Sequence, residues 1–256
     1  MKYVRFQQPD ATIRLGVLQN EYIQLVEGDL FGDHRLTDER AEYSSARLLA
    51  PCLPGKVVGA GSNYHSFLRA MGRPTPERPR IFFKPNSSVV GHGDEILCPD
   101  PDHNVVFEGE LGVVIGRRCR EATMRNALEH VFGYTCLNDV TDHTMLQEDT
   151  IWSRGKGADT FCPLGPAIAT DINPFDVMIK TTVDDEVRQH ESTAGMVFDV
   201  PSLIVFISRD ITLYPGDVIA TGSPTGTGKL LPGQTVTVEI TGIGALQNNV
   251  KLARGH

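Results

Sequence analysis

The hydrophobic pattern changes rhythm several times along the 256 residues. Residues 2–6, 12–18 and 22–26 alternate or cluster β-formers on either side of the turn-like Gln8-Pro9-Asp10 and Gln19-Asn20-Glu21, which predicts a small β-meander. Between Phe31 and Tyr43 the chain becomes polar and charged and loses its period, so this stretch is expected to be a connection, closed by Pro51 and Pro54. Further on, strand-length apolar or alternating runs occur at 56–60, 81–84, 95–98, 105–115, 131–138, 177–183 and 235–240. Helical spacing is rarer and is confined to 64–71, 123–129 and 202–209. Strands and helices do not alternate regularly, which argues against a doubly wound sheet or an eightfold α/β barrel. The pattern predicts an α+β, predominantly mixed β fold with peripheral helices: a small N-terminal β unit at 1–50 and a main domain at 51–256.

Within that frame one group of residues carries chemistry. Glu108 and Glu110, in the run VVFEGELGVVIG, are followed by Asp139 in YTCLNDVT. Side chains at i and i+2 of a strand share a face, so the two glutamates converge while Gly109 points away. Like charges in apolar surroundings need a counterion, and a hard divalent cation is the simplest one. Three carboxylates suit Mg²⁺ or Mn²⁺, with Ca²⁺ as a possible substitute, and no CxxC or HxxxH spacing points to a softer metal. The bland alternative is an exposed pair on an edge strand.

Composition narrows the partners. A net charge of −8 with 22% charged residues leaves no basic stripe for nucleic acid and no cluster for a membrane surface, so a small molecule is the expected partner. Five cysteines at irregular spacing suit reduced core thiols. The opening MKYVRFQQPD does not read as a signal peptide, and no apolar run approaches membrane-spanning length, so the cytoplasm is the expected location. GSPTGTGK has the wrong glycine spacing for a phosphate loop. Trp152 and Tyr214 are expected in the core or an interface, and Lys84 either approaches a pocket or caps a strand end.

Seven segments in order, GSNYHSF, IFFKPNSSVVG, FEGELGVVIG, GYTCLNDVT, RGKGADTFCPLGP, FDVPSLIVFIS and LYPGDVIATGSPTGTG, resemble the fumarylacetoacetate hydrolase family. The resemblance implies a rolled mixed β structure, a Mg²⁺ site, a homodimer, and hydrolysis, decarboxylation, hydration or isomerisation of 2-oxo acids. It places the metal ligands on Glu108, Glu110 and Asp139, and a substrate-side lysine on Lys156. It assigns substrate contacts to Tyr64, Ser223, Thr225 and Gly226. Two departures stand out. Phe67 and Ala70 occupy the positions where many hydrolytic members carry His and Glu, and His143 and Leu146 replace an Arg and a Gln. The remaining acid-base candidates are His143 and His65. Two positions along a helix rotate a side chain by roughly 200°, so His65 cannot stand in for a residue at 67 without a remodelled lid.

The leading expectation is therefore a Mg²⁺- or Mn²⁺-dependent C–C bond hydrolase acting on an acylpyruvate-like 2,4-dioxo acid. The alternatives are an isomerase, tautomerase or decarboxylase of a 2-oxo diacid such as a 2-hydroxydienoate, and a ligand-binding member without catalysis.

Overall fold

The computed structural model describes residues 1–253. One large sheet runs, strand by hydrogen-bonded strand, through His34–Glu42, Tyr22–Gly28, Ile13–Leu18, Lys2–Gln7, Cys162–Ala169, Val131–Asn138, Gly109–Ile115, Val218–Ala220, Val57–Gly61 and Arg80–Lys84. A five-stranded sheet follows the order Glu186–Ser192, Met178–Val183, Thr235–Ile240, Gly244–Leu252 and Glu95–Cys98. A third, small sheet joins Thr141–Asp142, Val105–Phe107 and Gly228–Lys229. The mixed, strand-dominated fold is the one the hydrophobic pattern predicts.

Burial explains why the strands read as they do. Every residue of Gly109–Ile115 is buried, because that strand sits between two neighbours in the large sheet, and its sequence is a continuous apolar run around one acid. Met178–Val183 and Thr235–Ile240 bury alternate residues and read as alternating strands. The five cysteines are free and buried, as expected.

Three local expectations are corrected. The polar stretch taken as a connection forms the strand His34–Glu42, at the outer edge of the large sheet. None of its residues is fully buried, so no alternation betrays it. The strand expected at 105–115 is interrupted at Glu108 and contributes to two different sheets. The helix expected at 123–129 shrinks to a 3₁₀ turn, Ala127–His130, preceded by an Asn126 side chain that accepts a 2.8 Å hydrogen bond from the Thr123 backbone. The N-terminal meander is continuous with the rest through the pairing of Lys2 with Ala169 and Tyr3 with Ile168.

Four α-helices are present among the described residues: α1 (His65–Ala70), α2 (His143–Glu148), α3 (Ser153–Gly157) and α4 (Val200–Asp210). The longest, α4, starts where the Asp199 carboxylate accepts a hydrogen bond from the Ser202 amide at 2.9 Å. Its buried face, with Leu203, Ile204 and Ile207, packs into the largest apolar core alongside Leu111, Val113 and Ile115. No described helix is long and apolar enough to cross a membrane.

Candidate metal centre

The acidic trio is assembled by strand register. Gly109 pairs with Asn138 and Glu110 with Leu137, which sets Asp139 beside Glu108 at the point where both strands leave the large sheet. The Asp139 amide donates to the Glu108 carbonyl at 2.9 Å, and the Glu108 amide donates to the Asn138 side chain at 3.0 Å, pinning the two turns together. Ligand oxygens of Glu108, Glu110 and Asp139 then lie within 4.8 Å of one another. Glu110 and Asp139 are 2% and 0% exposed.

Gly109, between the glutamates, faces the five-stranded sheet. A Cβ there would stand 2.1 Å from the Thr181 hydroxyl oxygen and 3.1 Å from the Gln189 side-chain oxygen that accepts the Gly109 amide. Gly109→Ala is therefore expected to cost about 1–3 kcal/mol through overpacking. It is also expected to weaken cation binding by displacing both carboxylates. Chemical denaturation and a calorimetric Mg²⁺ titration check the two effects; normal affinity in a destabilised variant would show that the glutamates do not depend on this contact.

Two lysines share the site. The Lys156 ammonium donates to Glu108 at 3.0 Å and also to Asp139, and it lies 4.5 Å from the centre of the Phe82 ring. Lys84, 0% exposed, donates to Asp139 Oδ1 at 2.5 Å and to the Val140 carbonyl at 3.0 Å. It lies behind Asp139 rather than in the cavity wall. Three carboxylates against two ammonium groups leave the cluster with one surplus negative charge. Burial pushes the Glu110 carboxyl well above its ordinary value, and the charges of Asp139 and Glu108 push it further. Burial also raises Glu108, against the pull of Lys156. Asp139 falls the other way: burial opposes its charge, but Lys156 and Lys84 together outweigh that and hold it below the usual range. Burial works against the Lys156 ammonium too, yet Asp139 and Glu108 raise it overall.

An all-oxygen donor set carrying a surplus negative charge fits a hard divalent cation.

Above this floor opens a cavity of about 220 Å³. Phe67, Phe82, Leu146 and Trp152 form apolar walls, with Phe82 and Trp152 meeting edge to face at 6.1 Å. Thr141, His143, Ser223 and Thr227 supply polar edges. Among the residues picked out from sequence, the structure brings Glu108, Glu110, Asp139, Lys156, His143 and Ser223 to this cavity. His143 arrives there as the first residue of α2; the segment between it and Asp139 is not helical, and the Asp142 side chain caps the helix.

The others lie elsewhere. His65 starts α1 and is exposed outside the cavity, turned away from the wall that Phe67 forms. Tyr64 is fully buried in the main core with its hydroxyl unpartnered, not in the lining. Thr225 is exposed, and a Cβ on Gly226 would stand 2.0 Å from the Arg188 carbonyl, so this end of the loop turns outward and Thr227 reaches the cavity instead. Ser223 lines the cavity while its hydroxyl is engaged with the Gly109 carbonyl at 3.1 Å and the Gln189 amide at 2.8 Å. Sequence reasoning missed Phe82, Thr227 and Arg73 as lining residues, and Trp152, expected in the core or an interface, is a partly exposed wall of the cavity. Phe82 and Thr227 sit inside family-like segments and were within reach; Arg73 follows the last of the α1 pattern in a proline-rich loop that gave no signal.

Residues 56–251 match the family model described as fumarylacetoacetate (FAA) hydrolase C-terminal. The chain belongs to the fumarylacetoacetate hydrolase family. Residues 1–51 match a second model, described as Rv2993c-like, N-terminal. Among relatives in this family, the mitochondrial oxaloacetate tautomerase FAHD2A of Bos taurus is 40% identical over 220 residues, covering 81% of this chain and 70% of its own. The crystal structure of 2-hydroxyhepta-2,4-diene-1,7-dioate isomerase from Mycobacterium marinum is 38% identical and superposes with a TM-score of 0.91, covering 100% of both chains. That of maleylpyruvate hydrolase from Sphingobium sp. SYK-6, in complex with manganese(II) and pyruvate, is 28% identical with a TM-score of 0.83, covering 99% of this chain and 100% of that one. Its relatives in that family include hydrolases, isomerases and tautomerases.

Proposed function

We propose that this protein is a Mg²⁺- or Mn²⁺-dependent isomerase that moves a proton between the carbon and oxygen of a small 2-oxo acid, interconverting its keto and enol forms. The observation that carries it is the make-up of the cavity: a cation site and a lysine on one floor, and Phe67 where a hydrolase of the family would present a histidine. Glu108, Glu110 and Asp139 would hold the ion, which when bound supplies Lewis-acid polarisation of the 2-oxo group. Lys156, freed from those carboxylates, donates to the same oxygen and holds the charge that develops there. Phe67, Phe82, Leu146 and Trp152 keep water from the reacting carbon. His143 is the imidazole in the lining and is placed to carry the proton at that carbon.

This shifts the emphasis from C–C hydrolysis, the leading expectation from sequence, to isomerisation. Hydrolysis asks for a base that drives water onto a second carbonyl, at the position Phe67 fills, in addition to the proton transfer that His143 alone can serve. The 40% identity to a tautomerase and 38% to an isomerase support the same choice. The hydrolytic alternative draws its support from the Sphingobium neighbour.

Oxaloacetate and longer 2-oxo acids in D₂O, followed by proton NMR with Mg²⁺, test the assignment. Exchange of the carbon-bound proton next to the oxo group is expected, faster than any cleavage and lost with chelator. His143→Gln is expected to slow it about 10²–10⁴-fold. Cleavage products carrying solvent oxygen, with exchange at background, would overturn isomerisation in favour of hydrolysis.

A further inference from the structure

The cavity floored by three carboxylates also has an exposed arginine in its lining. Arg73 lines it together with Glu108, Glu110 and Lys156, and also lines an adjoining cleft with Ser62 and Arg80. Arg35 pairs with Glu27, Arg47 with Asp94 and Arg154 with Asp149, whereas several exposed arginines, Arg80 in the adjoining cleft among them, have no ion pair among the described residues. Among the described residues, the Arg73 guanidinium has no carboxylate within ion-pair distance and no hydrogen-bond acceptor. What sets Arg73 apart is its place in the lining of the carboxylate cavity, where an exposed guanidinium can donate to an anion.

Its backbone is fixed although it lies in a loop. Gly72, at φ +62°, ends α1 in the left-handed conformation. The Gly72 amide then donates to the Arg69 carbonyl at 3.1 Å and the Arg73 amide to the Leu68 carbonyl at 2.9 Å. These are the two bonds of a Schellman closure. Pro74 follows at once and restricts Arg73 to extended backbone. The side chain therefore leaves a preset anchor point.

We propose that Arg73 reads the far carboxylate of the substrate, so that the enzyme selects 2-oxo dicarboxylic acids over 2-oxo monocarboxylic acids; this rests on the metal-dependent 2-oxo acid assignment above. The 2-oxo acid end belongs at the acidic floor with the cation and Lys156, and the planar guanidinium offers two parallel N–H donors to a carboxylate at the other end. Phe67, Phe82 and Trp152 belong to the same lining and would flank the carbon chain. Arg73 is a specificity determinant and takes no part in the proton transfer.

Calorimetric titration of the Mg²⁺-loaded protein with oxaloacetate and 2-oxoglutarate, against pyruvate and 2-oxobutyrate, separates the possibilities, with oxalate as a probe of the floor alone. The wild type is expected to prefer the diacids by about 10- to 100-fold, the range of one charge-assisted contact. Arg73→Gln is expected to bring that ratio within about threefold, and Arg73→Lys to retain part of it. An unchanged ratio in Arg73→Gln, with Mg²⁺-dependent oxalate binding intact, would overturn the role of Arg73 and leave the metal-dependent assignment standing. Absence of Mg²⁺-dependent oxalate binding in the wild type would overturn the assignment beneath it, and this proposal with it. Thermal melts confirm that the variants are folded.

Discussion

Asp139→Asn is expected to lower the stability of the metal-free protein by about 3–5 kcal/mol, the usual cost of breaking a buried ion pair by removing one partner. The cause is Lys84. Its ammonium is completely enclosed, with the Asp139 carboxylate on one side and the Val140 carbonyl on the other. An asparagine keeps an oxygen for one hydrogen bond but removes the one carboxylate paired with Lys84, whereas Lys156 keeps Glu108. Urea denaturation should show a lower midpoint with an unchanged slope. The double variant Asp139→Asn with Lys84→Met is expected to recover a substantial part of the loss, because the stranded charge goes with the lysine. A metal-free Asp139→Asn protein as stable as its parent would mean that the lysine is satisfied in some other way. Catalysis should fall to background in either variant, because a cation ligand is missing.

Removing the divalent ion is the second large perturbation, and its size should depend on pH. Chelation is expected to abolish turnover, and Mg²⁺ or Mn²⁺ to restore it. Glu108 and Glu110 have folded values raised above the ordinary 4.5. Groups shifted in that sense contribute stability that is fully present below the unfolded value and is lost as pH rises through the folded one. Asp139 is depressed below 3.8, so its contribution is lost only on stronger acidification and is constant above pH 5. From pH 5 upward the metal-free protein should therefore weaken as the two glutamates surrender their protons. A cation takes the place of those protons, so it binds more tightly as they leave. The rise in melting temperature on adding Mg²⁺ is expected to be larger at pH 8 than at pH 5.5. A rise that is flat, or larger at the acidic end, would separate the ion from these carboxylates.

Much of the site was legible because its parts are short-range patterns. The E-x-E spacing on an apolar run states both burial and a shared face, and only the interruption at Glu108 was hidden. That break depends on a hydrogen bond that Glu108 donates to the Asn138 side chain and one that it accepts from the Asp139 amide, which no local pattern reveals. Lys84 was ambiguous for a similar reason: its partner lies 55 residues away. His65 is an acid-base candidate by its closeness in sequence to Phe67, but the first turn of α1 points it to solvent outside the cavity. Thr225 was misplaced in favour of Thr227 because a glycine-rich loop can present either residue, and contact with Arg188 decides which. The helices α2 and α3 have six and five residues, too few for a 3.6-residue period to declare itself. The strand His34–Glu42 escaped notice because an edge strand open to solvent needs no apolar face.

The chain divides the labour of the cavity between separate stretches of sequence. Ser62, Phe67 and Arg73 come from one excursion between the strands Val57–Gly61 and Arg80–Lys84, whereas the acids and Lys156 come from residues 108 to 156. Only Asn63 of this excursion is tied to the floor, through the Thr221 carbonyl next to the Gly222 amide that donates to Glu110, so the stretch beyond Asn63 can be rewritten in length or in charge without touching the acids. Exchanging it for the corresponding segment of a relative should therefore transplant ligand preference while leaving ion affinity in place. The floor would serve as a common chassis on which different entrances can be mounted.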